Sequence, residues 1–215
     1  LRAICSTGSP LGPDSYDYIL NNIKSDVQIA SISGGTDLLS CFVLSNPISP
    51  VVKGEIQCKA LGMDVDIFNE NGESLVDEEG ELVCKNSFPS MPIKFWNDPD
   101  NRKYKDAYFE KFVGIWRHGD WAKITERGTI VIYGRSDATL NPGGIRIGTA
   151  EIYNVVEKLN EVVECLVIAQ SWNSDVRIVL FLKSQNDYEL TEKLKEKVVN
   201  QIKSNLTPSH LPAKV

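Results

Sequence analysis

The stretch Tyr133-Gly134-Arg135-Ser136-Asp137-Ala138-Thr139-Leu140-Asn141-Pro142-Gly143-Gly144-Ile145-Arg146-Ile147-Gly148-Thr149-Ala150-Glu151-Ile152 sets two arginines, two acids and four glycines between an apolar run and an amphipathic one. Before it, Thr129 to Tyr133 reads as a strand. After it, Ile152, Val155, Val156 and Leu159 recur at helical spacing, with Thr149 as the expected N-cap. Glu151 falls in the first turn, where a helix favours negative charge. Arginine offers a fixed fork of donors to phosphate or carboxylate oxygens, and glycine lets backbone turn sharply or approach a ligand closely. On spacing alone the pattern also fits a loop with surface arginines.

Working outward, the start of the chain alternates strand, helix and strand. Leu1 to Ser6 is apolar, and Thr7-Gly8-Ser9-Pro10 has turn chemistry. Pro13 to Lys24 carries Tyr16, Ile19, Leu20 and Ile23 on one side, and Asp26 to Ile32 reads as a second strand, which together suggest a parallel βαβ unit. From Pro50 to Gly134 short β-rich runs separated by turn residues predict a small antiparallel sheet or barrel, with Asn69-Glu70-Asn71-Gly72 as one turn. Beyond Asp137, a helix, strands over Val162–Trp172 and Val176–Lys183, and a helix capped by Thr191 with Leu194, Val198, Ile202 and Leu206 on one face predict a compact α+β unit. The expected division is 1–136 and 137–215.

The 215 residues are 42% hydrophobic, enough for a packed core, and carry a net charge of −6. That balance argues against a general nucleic-acid binder, which needs a basic footprint, while a few local arginines suffice for a nucleotide. Cys5, Cys41, Cys58, Cys84 and Cys165 are odd in number and too widely spaced for a metal knuckle, so buried free thiols in a reducing, cytoplasmic compartment are expected. No run approaches the ~20 apolar residues of a membrane span. The abrupt strand-like start at Leu1 and the strand-like end at Pro212 to Val215 suggest a piece cut from a longer chain.

Four segments, in order, resemble those of the adenylate-forming acyl-CoA synthetase superfamily. They are Ser6-Thr7-Gly8-Ser9-Pro10-Leu11, Ser31-Ile32-Ser33-Gly34-Gly35-Thr36-Asp37, Trp116-Arg117-His118-Gly119-Asp120-Trp121 and the Tyr133–Ile152 stretch, whose Leu-Asn-Pro-Gly-Gly-Ile-Arg form is nearest to the branch acting on acetoacetate. The resemblance covers essentially the whole chain and only the later part of such an enzyme. It implies the end of a large AMP-binding core domain (βαβ plus a small antiparallel β subdomain) followed by a small α+β C-terminal lid.

The implied activity makes an acyl-adenylate from an acid and ATP and passes the acyl group to CoA, with Mg²⁺. Gly8, Ser9 and Pro10 would lie along adenine. Thr36 would hold the α-phosphate and Asp37, standing where the family has Glu, would bind Mg²⁺. Gly34 and Gly35 replace bulky residues and are expected to leave an open pocket floor suited to acetoacetate. Asp120 would accept from both ribose hydroxyls, and Arg135 would contact ribose and phosphate. Asp137 would be the hinge. Gly143 and Gly144 would approach the CoA arm, and Arg146 would hold the α-phosphate in the thiol-forming state. His118 is expected to be a surface or partly packed histidine. The family's phosphate-gripping loop and its Gly-Lys lysine have no match here, Lys214 included, so the 215 residues alone are expected not to turn over. An acetyl- or propionyl-CoA synthetase and a non-catalytic nucleotide-binding module remain the alternatives.

Overall fold

A computed structural model describes residues 1–140, 142, 145, 147–172, 175–185 and 190–215. It divides into two compact units, Leu1–Ile132 and Tyr133–Val215.

The first unit opens with the expected βαβ arrangement. Strand β1 (Ala3–Ser6) leads through helix α1 (Pro13–Tyr18) and a π turn (Ile19–Ile23) to β2 (Gln28–Ser31). The strands pair in parallel from Ala3↔Gln28 to Ser6↔Ser31. Pro13 starts α1 because its fixed φ suits a first turn that needs no donor there. Tyr16, Ile19, Val27 and Ile29 bury together. Ile23, expected on that stripe, is exposed. The Lys24 amide reaches back to the Ile19 carbonyl, and this wider turn carries Ile23 off the line of Tyr16 and Ile19.

Strands β3 (Ser33–Gly35), β4 (Ser40–Leu44) and β5 (Cys58–Lys59) form an antiparallel three-stranded sheet. A second sheet runs in the order β6 (Val65–Phe68), β7 (Glu79–Cys84), β8 (Trp116–Ile124) and β9 (Ile130–Arg135), with β6/β7 and β7/β8 antiparallel. The Asn69 turn forms as expected: its side-chain oxygen accepts from the amides of Asn71 and Glu73 at 2.9 Å each. Helix α2 (Arg102–Tyr108) has no counterpart in the expectations from sequence. It is short, and its Tyr104, Tyr108 and following Phe109 are held by an aromatic cluster around Trp116 rather than by a regular stripe. Phe42, Val65, Ile67, Leu82, Trp116 and Ile130 centre this unit's core.

The second unit is a β10 (Val162–Trp172) and β11 (Asp175–Ser184) antiparallel ribbon with helices α3 (Thr149–Val156) and α4 (Glu192–Asn205). Its core joins Ile152, Val156, Leu180, Val198 and Ile202. Full burial of each such side chain contributes about 1.5–3 kcal/mol. Thr191 caps α4, its hydroxyl accepting from the Leu194 amide at 3.2 Å. The α3 cap differs from expectation: Gly148 occupies it and Thr149 is the first helical residue. A Cβ at Gly148 would lie 2.7 Å from Cβ of Tyr133 and 2.8 Å from its carbonyl oxygen, so close backbone approach decides that position. The Glu151 carboxylate takes the capping role by accepting from the Gly148 amide at 2.9 Å. Lys214 adds a parallel bridge to Val179, with its carbonyl accepting from Leu180 at 2.9 Å. Among the described residues no helix is long and apolar enough to cross a membrane.

Candidate nucleotide site

Three segments of the first unit meet around Asp120. Residues Arg117–Trp121 of β8 face only Glu81–Val83 of β7, so the strand bulges there. Gly119 supplies the bulge with φ +85°, a left-handed conformation that favours glycine. Bulges re-aim side chains. Here Asp120 turns to β3, where Ser33 Oγ donates to its Oδ2 at 3.1 Å. His118 Nε2 lies 3.7 Å from the same oxygen. Asp120 is 6% exposed and His118 8%. His118, expected at the surface or partly packed, is buried: its ring meets Phe42 edge-on at 4.7 Å. A buried carboxylate held at one oxygen by a hydroxyl is suited to accept from a polyol, because a carboxylate takes several hydrogen bonds at once.

The β3–β4 turn carries Thr36 and Asp37, both exposed. Leu39 closes it with φ 51° while Leu38 anchors it in the core. Asp37 Oδ2 accepts from the Tyr108 hydroxyl at 2.6 Å, a length typical of charge-assisted O–H···O bonds. The two glycines before the turn do not front open space. A Cβ at Gly34 would lie 2.2 Å from the Ser40 carbonyl oxygen and 2.4 Å from Cα of Cys41. A Cβ at Gly35 would lie 2.0 Å from Asp37 Oδ1 and 3.2 Å from Cε1 of His118. Close strand approach thus demands Gly34, and the Asp37 carboxylate fills the space beside Gly35, so local packing accounts for both glycines without an acyl group.

Mg²⁺ takes one or two protein carboxylates and completes its shell with phosphates and water. Asp37 fits that demand as a single exposed carboxylate on a turn, and among the described residues no group of three or more ligand side chains competes with it.

At the end of β1, Gly8 has φ +93° and no atom within 4 Å of where a Cβ would stand. That open backbone face, followed by exposed Ser9 and half-buried Pro10, is the surface a flat ring can pack on. In the second unit, Arg135 ends its strand half-exposed, with Nε 3.4 Å from Asp137 Oδ1. Its carbonyl accepts from the Thr139 hydroxyl at 3.0 Å, which turns the chain at the exposed Asp137. Gly143, Gly144 and Arg146 lie outside the described residues; among the described ones, the Leu140 and Ile147 amides each donate to the other's carbonyl at 2.9 Å.

Sequence alone does not single out Ser33 or Tyr108, and it places His118 at the surface or partly packed. Ser33 sat inside a quoted motif, but nothing local shows that it faces a residue 87 positions later. Tyr108 belongs to α2, whose aromatic spacing was its only signal.

This is the fold of the adenylate-forming CoA ligases. The chain matches a solved acetoacetyl-CoA synthetase from Streptomyces lividans with TM-score 0.89 and 43% identity, covering 100% of this chain and 33% of that one. A solved anthranilate CoA ligase in complex with anthranoyl-AMP matches at TM-score 0.82 over 100% of this chain and 40% of its own; at 19% identity it speaks for the fold alone. From end to end the chain is homologous to acetoacetyl-CoA synthetases. It is 57% identical over 215 residues to that of Rhizobium meliloti (strain 1021), with 100% of this chain and 33% of the relative covered. It is 48% identical to that of Xenopus tropicalis, with 99% and 32% covered. The chain spans about a third of the length of the curated relatives it matches. No protein-family model matches it.

Proposed function

We propose that the whole protein is an acetoacetate–CoA ligase: it activates acetoacetate with Mg·ATP to an acyl-adenylate and transfers the acyl group to CoA, releasing AMP and pyrophosphate. The observation that carries this reading is the 57% identity to an acetoacetyl-CoA synthetase over all 215 residues. The choice of acid rests on that identity, since local packing by itself accounts for Gly34 and Gly35.

Residues 1–136 are the end of the AMP-binding core and 137–215 the mobile C-terminal domain. Gly8, Ser9 and Pro10 line the adenine. Asp120, buried and held by Ser33, accepts from the ribose hydroxyls. Thr36 donates to the α-phosphate, and Asp37 would hold the Mg²⁺, which would supply positive charge to offset that of the phosphates. An acetoacetate carboxylate oxygen attacks the α-phosphorus and the bond to pyrophosphate breaks. The C-terminal domain then turns about Asp137, bringing Arg146 to the phosphate and Gly143 and Gly144 to the CoA arm. The CoA thiol, losing its proton, attacks the acyl carbon and AMP leaves. Rearrangements of this kind often limit turnover. The thiols, free among the described residues, support a cytoplasmic setting, and the charge of −6 supports small-molecule rather than nucleic-acid partners.

The test is acid-dependent AMP release by the full-length protein with ATP, Mg²⁺ and CoA. Acetoacetyl-CoA is the expected product, with kcat/KM for acetoacetate well above that for acetate or propionate. Equal or greater use of acetate overturns the assignment of the acid, and no acid-dependent AMP release overturns the ligase.

A further inference from the structure

Asp37 is one methylene shorter than the glutamate that the resemblance places at its position, so its reach must be set by something else. Tyr108 supplies a physical means. Its ring stacks on the fully buried Trp116 at 3.7 Å and 15°. Phe95 and Tyr104 meet it edge-on at 5.7 and 5.6 Å. A ring packed on three sides has little rotamer freedom, and its hydroxyl stands 2.6 Å from Asp37 Oδ2. The other oxygen, Oδ1, occupies the space beside Gly35 that any side chain would fill. The carboxylate is thereby oriented from two directions before a ligand arrives.

We infer that Tyr108 is the positioning residue for the divalent cation of Mg·ATP, fixing Asp37 by one oxygen so that the other is offered to the metal. The inference rests on the reading of Asp37 as the metal-binding carboxylate. It has a consequence for metal choice. Ca²⁺ accepts both oxygens of a carboxylate readily, whereas Mg²⁺ demands compact octahedral geometry. Holding Oδ2 on a phenol favours Mg²⁺.

Calorimetric titration of the full-length protein with ATP, without acid, in Mg²⁺ or in Ca²⁺, reads this directly and needs no turnover. Tyr108→Phe keeps the stacked ring and removes the hydroxyl. It is expected to weaken ATP binding in Mg²⁺ about ten- to a hundredfold, the worth of a hydrogen bond to a charged group, and to leave binding in Ca²⁺ nearly unchanged. Equal weakening in both metals would mark a structural role and overturn the inference, as would no change in either. Asp37→Ala separates the two claims. If it leaves Mg²⁺ dependence intact, the metal assignment fails. If it abolishes that dependence while Tyr108→Phe changes nothing, only the role of Tyr108 fails. Should Tyr108→Phe not fold, Asp37→Glu moves the carboxylate off the hydroxyl: a smaller ratio of Mg²⁺ to Ca²⁺ affinity supports the inference and an unchanged ratio overturns it.

Discussion

Ser33 and Asp120, 87 residues apart, are joined by a hydrogen bond of 3.1 Å from hydroxyl to carboxylate, and Asp120 is almost wholly buried. A buried acid is costly unless something holds it. The Ser33 hydroxyl offsets part of that cost at Oδ2. Replacing Ser33 with Ala is expected to weaken AMP binding by the full-length protein about threefold to tenfold. Asp120→Ala removes the acceptor itself and is expected to cost about thirtyfold or more. Calorimetric titration with AMP measures both. Unchanged affinity in Asp120→Ala would rule out its ribose role.

The glycines before the turn separate stability from binding. At Gly34 an added Cβ meets backbone at 2.2 Å, so the hairpin itself must open. Gly34→Ala is expected to lower stability by about 2 kcal/mol or more, read as a drop in Tm. At Gly35 the obstacle is the movable Asp37 carboxylate at 2.0 Å. Gly35→Ala is expected to leave Tm closer to that of the unsubstituted protein and to weaken ATP binding in Mg²⁺ several-fold. A larger Tm loss at Gly35 than at Gly34 would contradict this ordering.

In the second unit Glu151 ties both ends together. One oxygen accepts from the Gly148 amide at 2.9 Å, and the other lies 3.2 Å from Nε2 of His210. Glu151→Ala is expected to destabilise the α3 start by about 1–2 kcal/mol. Amide exchange at the first turn of α3 would then speed up about fivefold to thirtyfold. Glu151→Gln retains an acceptor for Gly148 and is expected to recover part of the protection. Identical exchange in Glu151→Ala and the unsubstituted protein would show that the cap contributes nothing.

Cys165 is expected to be inert while the protein is folded. Burial, and then the Glu157 carboxylate beside it, push its thiol up to about 12. Thiolate is the reactive form, so iodoacetamide at pH 8 should label Cys165 about a hundredfold faster in denaturant than in the native protein. Peptide mass spectrometry after timed quenching gives both rates. Labelling at equal rates would show that the strand opens freely.

The cysteines also mark where reading from sequence stopped short. Sequence predicts buried free thiols; all are free, but only Cys84 and Cys165 are buried, while Cys41 and Cys58 are half-buried and Cys5 is exposed. Burial of a single residue depends on what packs over its strand, which composition does not carry. Periodicity, by contrast, is local. The βαβ start, the β10–β11 ribbon and the Thr191 cap follow from spacings within a dozen residues and appear where expected.

What the sequence determined by itself was the order of elements and the chemical cast of the proposed site: Thr36, Asp37, Asp120 and the arginines stand in a legible succession. What only the tertiary structure decided was partnership. The bulge at Gly119, the turn of Asp120 toward Ser33, and the reach of Tyr108 to Asp37 join segments 71 and 87 residues apart. The helix N-cap at Gly148 belongs with them, because it is set by atoms of Tyr133 on another strand, whereas the crowding at Gly34 and Gly35 arises chiefly within their own hairpin. Local preference acts through neighbours along the chain. Contacts of this separation form only when the whole core closes and steric exclusion chooses among conformations that neighbouring residues leave nearly equal.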